Sequence, residues 1–180
     1  STGVSGETMT LTRTQEINVG NYTSTASCSS VSGGQKLCSN YTLTNTTKAY
    51  SITQRPTTCT SSGNSKTYDG SALTQTSGGS CTNLVSGHAA TFVNTGSITN
   101  AGTANNTVST VTIKSGSTDV TRNYNITKAT GTLTVNKKSI AVSWGTTTSF
   151  VYNGASQAPT VSISTGVSGE TMTLTRTQEI

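Results

Sequence analysis

Residues 1–17 and 164–180 carry the same letters, Ser-Thr-Gly-Val-Ser-Gly-Glu-Thr-Met-Thr-Leu-Thr-Arg-Thr-Gln-Glu-Ile, so the chain holds one period of 163 residues (164 minus 1) and the opening of the next. An identical copy at long spacing constrains the fold strongly, because repetition of this kind builds arrays in which each unit meets its neighbours. Arrays serve reach, stiffness and multivalent display, whereas a catalyst gains little from being strung in copies. The duplication therefore implies an extracellular stalk or fibre, with neighbouring repeats of the same chain, and other copies in a filament, as its first partners.

Each period must fold from an unusually polar alphabet. Hydrophobic residues make up 30%, aromatics 5% and charged residues 9%, while Thr, Ser, Gly and Asn crowd the chain. Thr and Val suit a pleated surface, and Gly, Asn and Ser suit the turns between strands. The spacing agrees. In Thr8-Met9-Thr10-Leu11-Thr12-Arg13-Thr14 every second residue is Thr, with Met9 and Leu11 on the other face, which is the period-2 signature of a half-buried strand. The same alternation predicts strands over 108–113, 130–135 and 140–144. Ser32-Gly33-Gly34, Asp69-Gly70, Ser77-Gly78-Gly79 and Asn153-Gly154 mark turns between such runs. The expected fold class is all-β, without helices.

A weaker repeat lies inside the long period. Tyr68-Asp69-Gly70 is followed by Asn123-Tyr124-Asn125-Ile126-Thr127, and Tyr152-Asn153-Gly154 by Asn40-Tyr41-Thr42-Leu43-Thr44 of the next period. One period thus divides into two related modules, each opening on a Tyr-Asx-Gly turn and closing on an Asn-Tyr strand. Residues 56–135 form one complete module. Residues 136–180 open the other, and residues 1–55 are its closing part as it continues in the following period. The connections Gln54-Arg55-Pro56 and Asn136-Lys137-Lys138 are short, which sets neighbouring modules nearly in contact.

Four cysteines, Cys28, Cys38, Cys59 and Cys81, lack zinc spacing. Three pairings are open to them; short loops, and each bridge kept inside one module, favour Cys28 with Cys38 and Cys59 with Cys81. Disulfides imply an oxidising compartment. The net charge is +5, with basic residues scattered apart from Lys137-Lys138 and no basic stripe interleaved with aromatics. Nucleic acid is therefore not an expected partner, and neither is direct membrane insertion.

The segments Lys66-Thr67-Tyr68-Asp69-Gly70-Ser71-Ala72-Leu73, Gly87-His88, Asn100-Ala101-Gly102-Thr103, Asn123 to Thr127 and Gly131-Thr132-Leu133-Thr134-Val135 together resemble the YDG domain of bacterial surface proteins. Phe150-Val151-Tyr152-Asn153-Gly154, Pro159-Thr160, Val19-Gly20-Asn21-Tyr22-Thr23 and Asn40 to Thr44 are similar to the MBG (mostly beta, glycine-rich) domain. The resemblance covers nearly the whole chain, and the cysteines depart from it. It implies two small antiparallel β-sandwich, Ig-like modules per period, arrayed in bacterial adhesin-like proteins that are secreted or held at the cell surface, with no enzymatic activity of the modules.

The residues point the same way. Gly70 and Gly154 can take a positive φ, while Asp69 and Asn153 bond the turn backbone. Tyr68 and Tyr152 are expected to lay their rings on a core edge with the hydroxyls wet. His88 has no carboxylate or second His nearby in sequence and reads as a solvated loop residue. No acidic pair or nucleophile with a base is indicated, so no catalytic residue, cofactor or metal ligand is assigned. Five Asn-X-Ser/Thr triplets, at Asn21, Asn40, Asn45, Asn105 and Asn125, arise readily by chance in such a composition. The alternative to a mechanical role is an adhesive module that engages a surface glycan or protein, its avidity raised by repetition. An exposed aromatic cluster around Trp144, Tyr152 and Tyr22 would favour it.

Overall fold

A computed structural model describes residues 2–33 and 37–175. Gly34, within one predicted turn, and residues 176–180, within the second copy of the duplicated segment, lie outside the described residues. Among the described residues thirteen strands follow one another: β1 (Thr8–Arg13), β2 (Gly20–Ser32), β3 (Thr47–Ile52), β4 (Arg55–Ser61), β5 (Asn64–Thr67), β6 (Gly79–Cys81) and β7 (His88–Thr95), then β8 (Gly102–Ser115), β9 (Thr118–Asp119), β10 (Tyr124–Ala129), β11 (Gly131–Asn136), β12 (Val142–Trp144) and β13 (Val161–Ile163). Single 3-10 turns occupy Cys38–Asn40 and Thr121–Asn123, and no α-helix occurs among the described residues. The chain is all-β.

The strands form four sheets, in the orders β1-β2-β3, β10-β4-β6, β5-β11-β8-β7 with β9 beside β8, and β12-β13. The ladders with recorded register are antiparallel except one: β5 runs parallel to β11, with Asn64 opposite Leu133 and Thr67 opposite Asn136. That departs from the purely antiparallel arrangement expected. Parallel neighbours need a long crossover, and here strands β6 to β10 lie between them in the chain.

By contacts the chain divides into two compact units. The first holds Ser1–Thr58, Asn83–Ala89 and Thr112–Thr127; the second holds Cys59–Thr82, Ala90–Val111 and Lys128–Ile180. Strands β4, β7, β8 and β10 each give residues to both. In the first unit, β1, β2 and β3 make a sheet in which Leu11 faces Cys28 and Tyr22 faces Tyr50, so the apolar side chains share one surface and the threonines take the other. Val31, Ile113 and Tyr124 are buried there. In the second unit Leu73, Leu133 and Val135 form a buried cluster, with Tyr68 and Ile98 packed against it.

The period-2 pattern decides what is inside. Thr57, Cys59 and Ser61 alternate inward along β4, and Leu133 and Val135 do so along β11. In β8 the inward face changes once, between Val108 and Val111, because two buried positions three apart cannot share a face of a regular strand. Among the described residues every buried one except Val31 lies from position 57 to position 135.

Two expectations need correction, and one copy of the duplicated segment differs from the other. Tyr41–Thr44 is not a strand: Asn40 ends a 3-10 turn and the next ladder begins at Thr47. The strand expected over 140–144 shortens to Val142–Trp144. Thr171–Thr175, identical in sequence to the start of β1, forms no strand. In each case the alternation is present but the paired neighbour that would make it a ladder is short or missing among the described residues.

Candidate functional site

The Tyr-Asp-Gly turn is built locally and then used to hold distant segments. Asp69 Oδ1 accepts from the Ser71 backbone N–H at 2.9 Å, from Ser71 Oγ at 2.8 Å and from Lys66 Nζ at 2.6 Å. Gly70 sits at φ 81°, and a Cβ there would come within 2.7 Å of Val167 Cγ1. Lys66 foremost, then the Ser71 backbone and hydroxyl, hold the Asp69 carboxyl well below the usual carboxylate range. The pair is solvent-facing, so the ion pair itself adds little to stability; its effect is to fix the loop. Asn153 repeats the geometry, accepting from the Ala155 N–H at 3.0 Å with Gly154 at φ 76°.

The two tyrosines part company. The Tyr68 ring packs against Leu73, Leu133 and Val135. Tyr152 instead stands 90% exposed beside Val151 at 88%, contrary to the expectation that its ring covers a core edge. The physical reason is the neighbourhood: β12 and β13 are three-residue strands that, among the described residues, pair with each other alone, too small a sheet to supply a core.

Tyr68 joins its turn to the connector that follows β11. Its backbone N–H donates to Asn136 O at 2.8 Å, and its hydroxyl donates to Glu170. The Glu170 bond raises the Tyr68 phenol above its ordinary value. Lys138 Nζ donates to Gly166 O at 2.8 Å. Around these bonds lies an open cleft of about 320 Å³, lined by Tyr68, Asn100, Lys137, Lys138, Val167 and Glu170 among others. It contains one carboxylate, two ammonium groups and one phenol, a set suited to tying segments together.

A second set of ties lies in the first unit. Asn123 Oδ1 accepts from the Val19 N–H at 2.9 Å, and Asn123 Nδ2 donates to Asn18 Oδ1 at 2.9 Å. Gln54 Nε2 donates to Arg122 O at 3.0 Å. Arg55 grips Asn83 through Nε to the backbone carbonyl at 2.6 Å and through its second guanidinium nitrogen to Oδ1 at 2.7 Å. Composition gave no hint of Asn83; its φ of 58°, rare outside glycine, is a property of the folded loop.

Both Asn-Tyr motifs follow a 3-10 turn that the tyrosine N–H closes, Tyr41 on Cys38 O and Tyr124 on Thr121 O. The Tyr41 hydroxyl then donates to Glu7. Tyr124 is buried; its hydroxyl lies 2.6 Å from His88 Nδ1 and accepts from the Val85 N–H at 3.1 Å. His88 is thus a half-buried partner at the start of β7, its ring edge-on to Tyr124 at 5.9 Å, and not the solvated loop residue expected. Tyr22 pairs with Tyr50 at 5.7 Å between centroids. Trp144 is 66% exposed.

Cys28 is bonded to Cys38 and Cys59 to Cys81, the latter across the β4–β6 ladder. The two bridges imply an oxidising environment such as the cell exterior. Among the described residues no group of three His, Cys, Asp or Glu could hold a metal ion, and no helix is long and apolar enough to cross a membrane, which does not bear on membrane β-barrels. Comparison with protein-family models, curated proteins and solved structures finds no match, so the two sets of ties carry the functional argument by themselves.

Proposed function

We propose that this chain is a structural repeat of an extracellular stalk or fibre, in which β-sandwich modules resembling YDG and MBG domains alternate and give reach and mechanical strength. The single observation that carries the reading is the tying of the Asn136-Lys137-Lys138 connector by Tyr68, Glu170 and Lys138. A connector fastened by the Tyr68 backbone N–H on one side and by Lys138 to the Gly166 carbonyl on the other, with the Tyr68–Glu170 bond beside it, resists bending, which a stalk requires and an isolated globule does not. The reading takes residues 56–135 as one module, with 1–55 and 136–180 as the closing and opening parts of the other. It places the protein at a cell surface or in a secreted filament, and the resemblance points to a bacterial source.

The test is an array of several 163-residue periods viewed by electron microscopy. The expected contour length rises linearly, by roughly 60–80 Å per period on strand dimensions. Glu170→Gln, repeated in every period, is expected to shorten the bending persistence length. Freely jointed beads in the unmodified array would overturn the reading. The adhesive alternative draws on Val151 and Tyr152, apolar and aromatic side chains left almost wholly in solvent. A glycan and protein binding screen in which Tyr152→Ala abolishes a hit would favour it.

A further inference from the structure

The parallel β5–β11 ladder joins a strand near the start of residues 56–135 to the strand that ends them. Asn64 lies opposite Leu133 and Thr67 opposite Asn136, and the Tyr68 N–H adds one more bond, to Asn136 O at 2.8 Å. On its other edge β11 runs antiparallel to β8, from Gly131 opposite Asn106 to Val135 opposite Gly102. Leu133 and Val135 are buried beneath it. Direction matters once the chain is under tension, which enters β5 at Asn64 and leaves β11 at Asn136. In a parallel pair those two residues lie at opposite ends of the ladder, so pulling slides the strands lengthwise and loads the bonds together. An antiparallel pair joined by a turn is pulled at one end and opens bond by bond.

Two features keep β5 from being drawn out first. Stripping of β4 from its N-terminal end stops at Cys59, which is bonded to Cys81 opposite it on β6. That bridge closes a loop of 22 residues with β5 inside it, so tension on the chain cannot lengthen the loop. Between Cys59 and β5, Ser61 Oγ donates to Asn106 O on β8 and accepts from the Gly131 N–H at 2.8 Å. The approach to β5 is thereby fastened to the start of β11, and Ser61 is itself buried, where such bonds are stronger than in water. Gly63 lets the two backbones close up, since a Cβ on it would come within 2.6 Å of Thr132 O.

We propose that β5 and β11 form a shear clamp, the contact that tension must break as a whole before residues 56–135 unfold, and that Cys59–Cys81 anchors β5 within it. The inference rests on the stalk reading for its purpose and adds where the load is held. A clamp of this kind depends on which ends are pulled, because forced unfolding follows the unfolding rate rather than the equilibrium stability.

The test is single-molecule pulling of one 180-residue chain that carries handles at its two ends and at Ala72, so that both geometries are measured on the same protein. Between the two ends, load shears the ladder. Between Ala72, an exposed residue beyond the C-terminal end of β5, and the handle after Ile180, load enters at the Thr67–Asn136 end and opens the ladder bond by bond. In end-to-end pulling the step that belongs to residues 56–135 is recognised by its length, which grows by about 70–80 Å when Cys59–Cys81 is reduced and its loop of 22 residues is freed. The rupture force is expected to be several-fold lower from Ala72 than from end to end. A force from Ala72 that equals or exceeds the end-to-end force would overturn the proposal. An array that bends freely while the end-to-end force stays high would leave the clamp standing and sink only the stalk; a stiff array with equal forces in both geometries would do the reverse.

Discussion

Asn106 is fully buried, and its Nδ2 donates to Ser62 O at 2.8 Å and Gln75 O at 2.9 Å. Replacing it with alanine removes both bonds from these two half-buried residues. Asn106→Ala is expected to lower stability by about 1–3 kcal/mol, read from urea unfolding midpoints. Leu133, also fully buried, belongs to the apolar cluster, and Leu133→Ala is expected to cost about 2–5 kcal/mol by the same measurement. The surface groups respond to pH. Asp69 has a folded pKa below its unfolded value of about 3.9, so its contribution is whole above that pH and is lost as pH falls through the folded value. The midpoint difference between the parent and Asp69→Asn is therefore expected at neutral pH and to shrink on acidification below about pH 4. Tyr68 and Tyr41 are raised by their glutamates, so their contributions are present below about pH 10 and are lost as pH rises past it; both should ionise late in ultraviolet absorbance titrations.

At the scale of elements, the two disulfides do different jobs. Cys59–Cys81 crosses β4 and β6 beside the buried residues, while Cys28–Cys38 links β2 to the 3-10 turn of an open sheet. Loop closure over 22 residues is worth about 3 kcal/mol in the chain-entropy account. Removing Cys59 and Cys81 together is expected to lower the main calorimetric transition by that amount, whereas removing Cys28 and Cys38 together should leave it nearly unmoved. The short-loop pairing was legible from spacing because each bridge closes a short local loop, of 10 and 22 residues. The Tyr-Asx-Gly turns were legible because side-chain acceptor and positive φ are properties of three adjacent residues. That the Asn-Tyr motif at 40–44 forms no strand was not: the motif sets the 3-10 turn before the tyrosine, and among the described residues Tyr124, not Tyr41, begins a strand with a neighbour to pair with, β4.

Across the whole molecule, buried side chains concentrate between positions 57 and 135, while the flanking segments leave Leu11, Val142 and Trp144 open. Native-state hydrogen exchange is expected to show slow amides mainly in β4, β8 and β11 and fast exchange in β12 and β13, because opening energies follow local burial. A uniform protection pattern would contradict this. The all-β character, the Asx-Gly turns and the duplication of one segment could be read from the letters, since alternation, Asx-Gly pairs and identity are local or countable. Which strands pair could not. The parallel β5–β11 ladder, the clasp of Asn123 on Asn18 and Val19, and the burial of His88 against Tyr124 join residues far apart in the chain. The duplicated segment makes the reason plain: Thr8–Thr12 is strand and Thr171–Thr175 is not, because a β-ladder is a property of two chains of hydrogen-bonding groups and a sequence specifies only one of them locally.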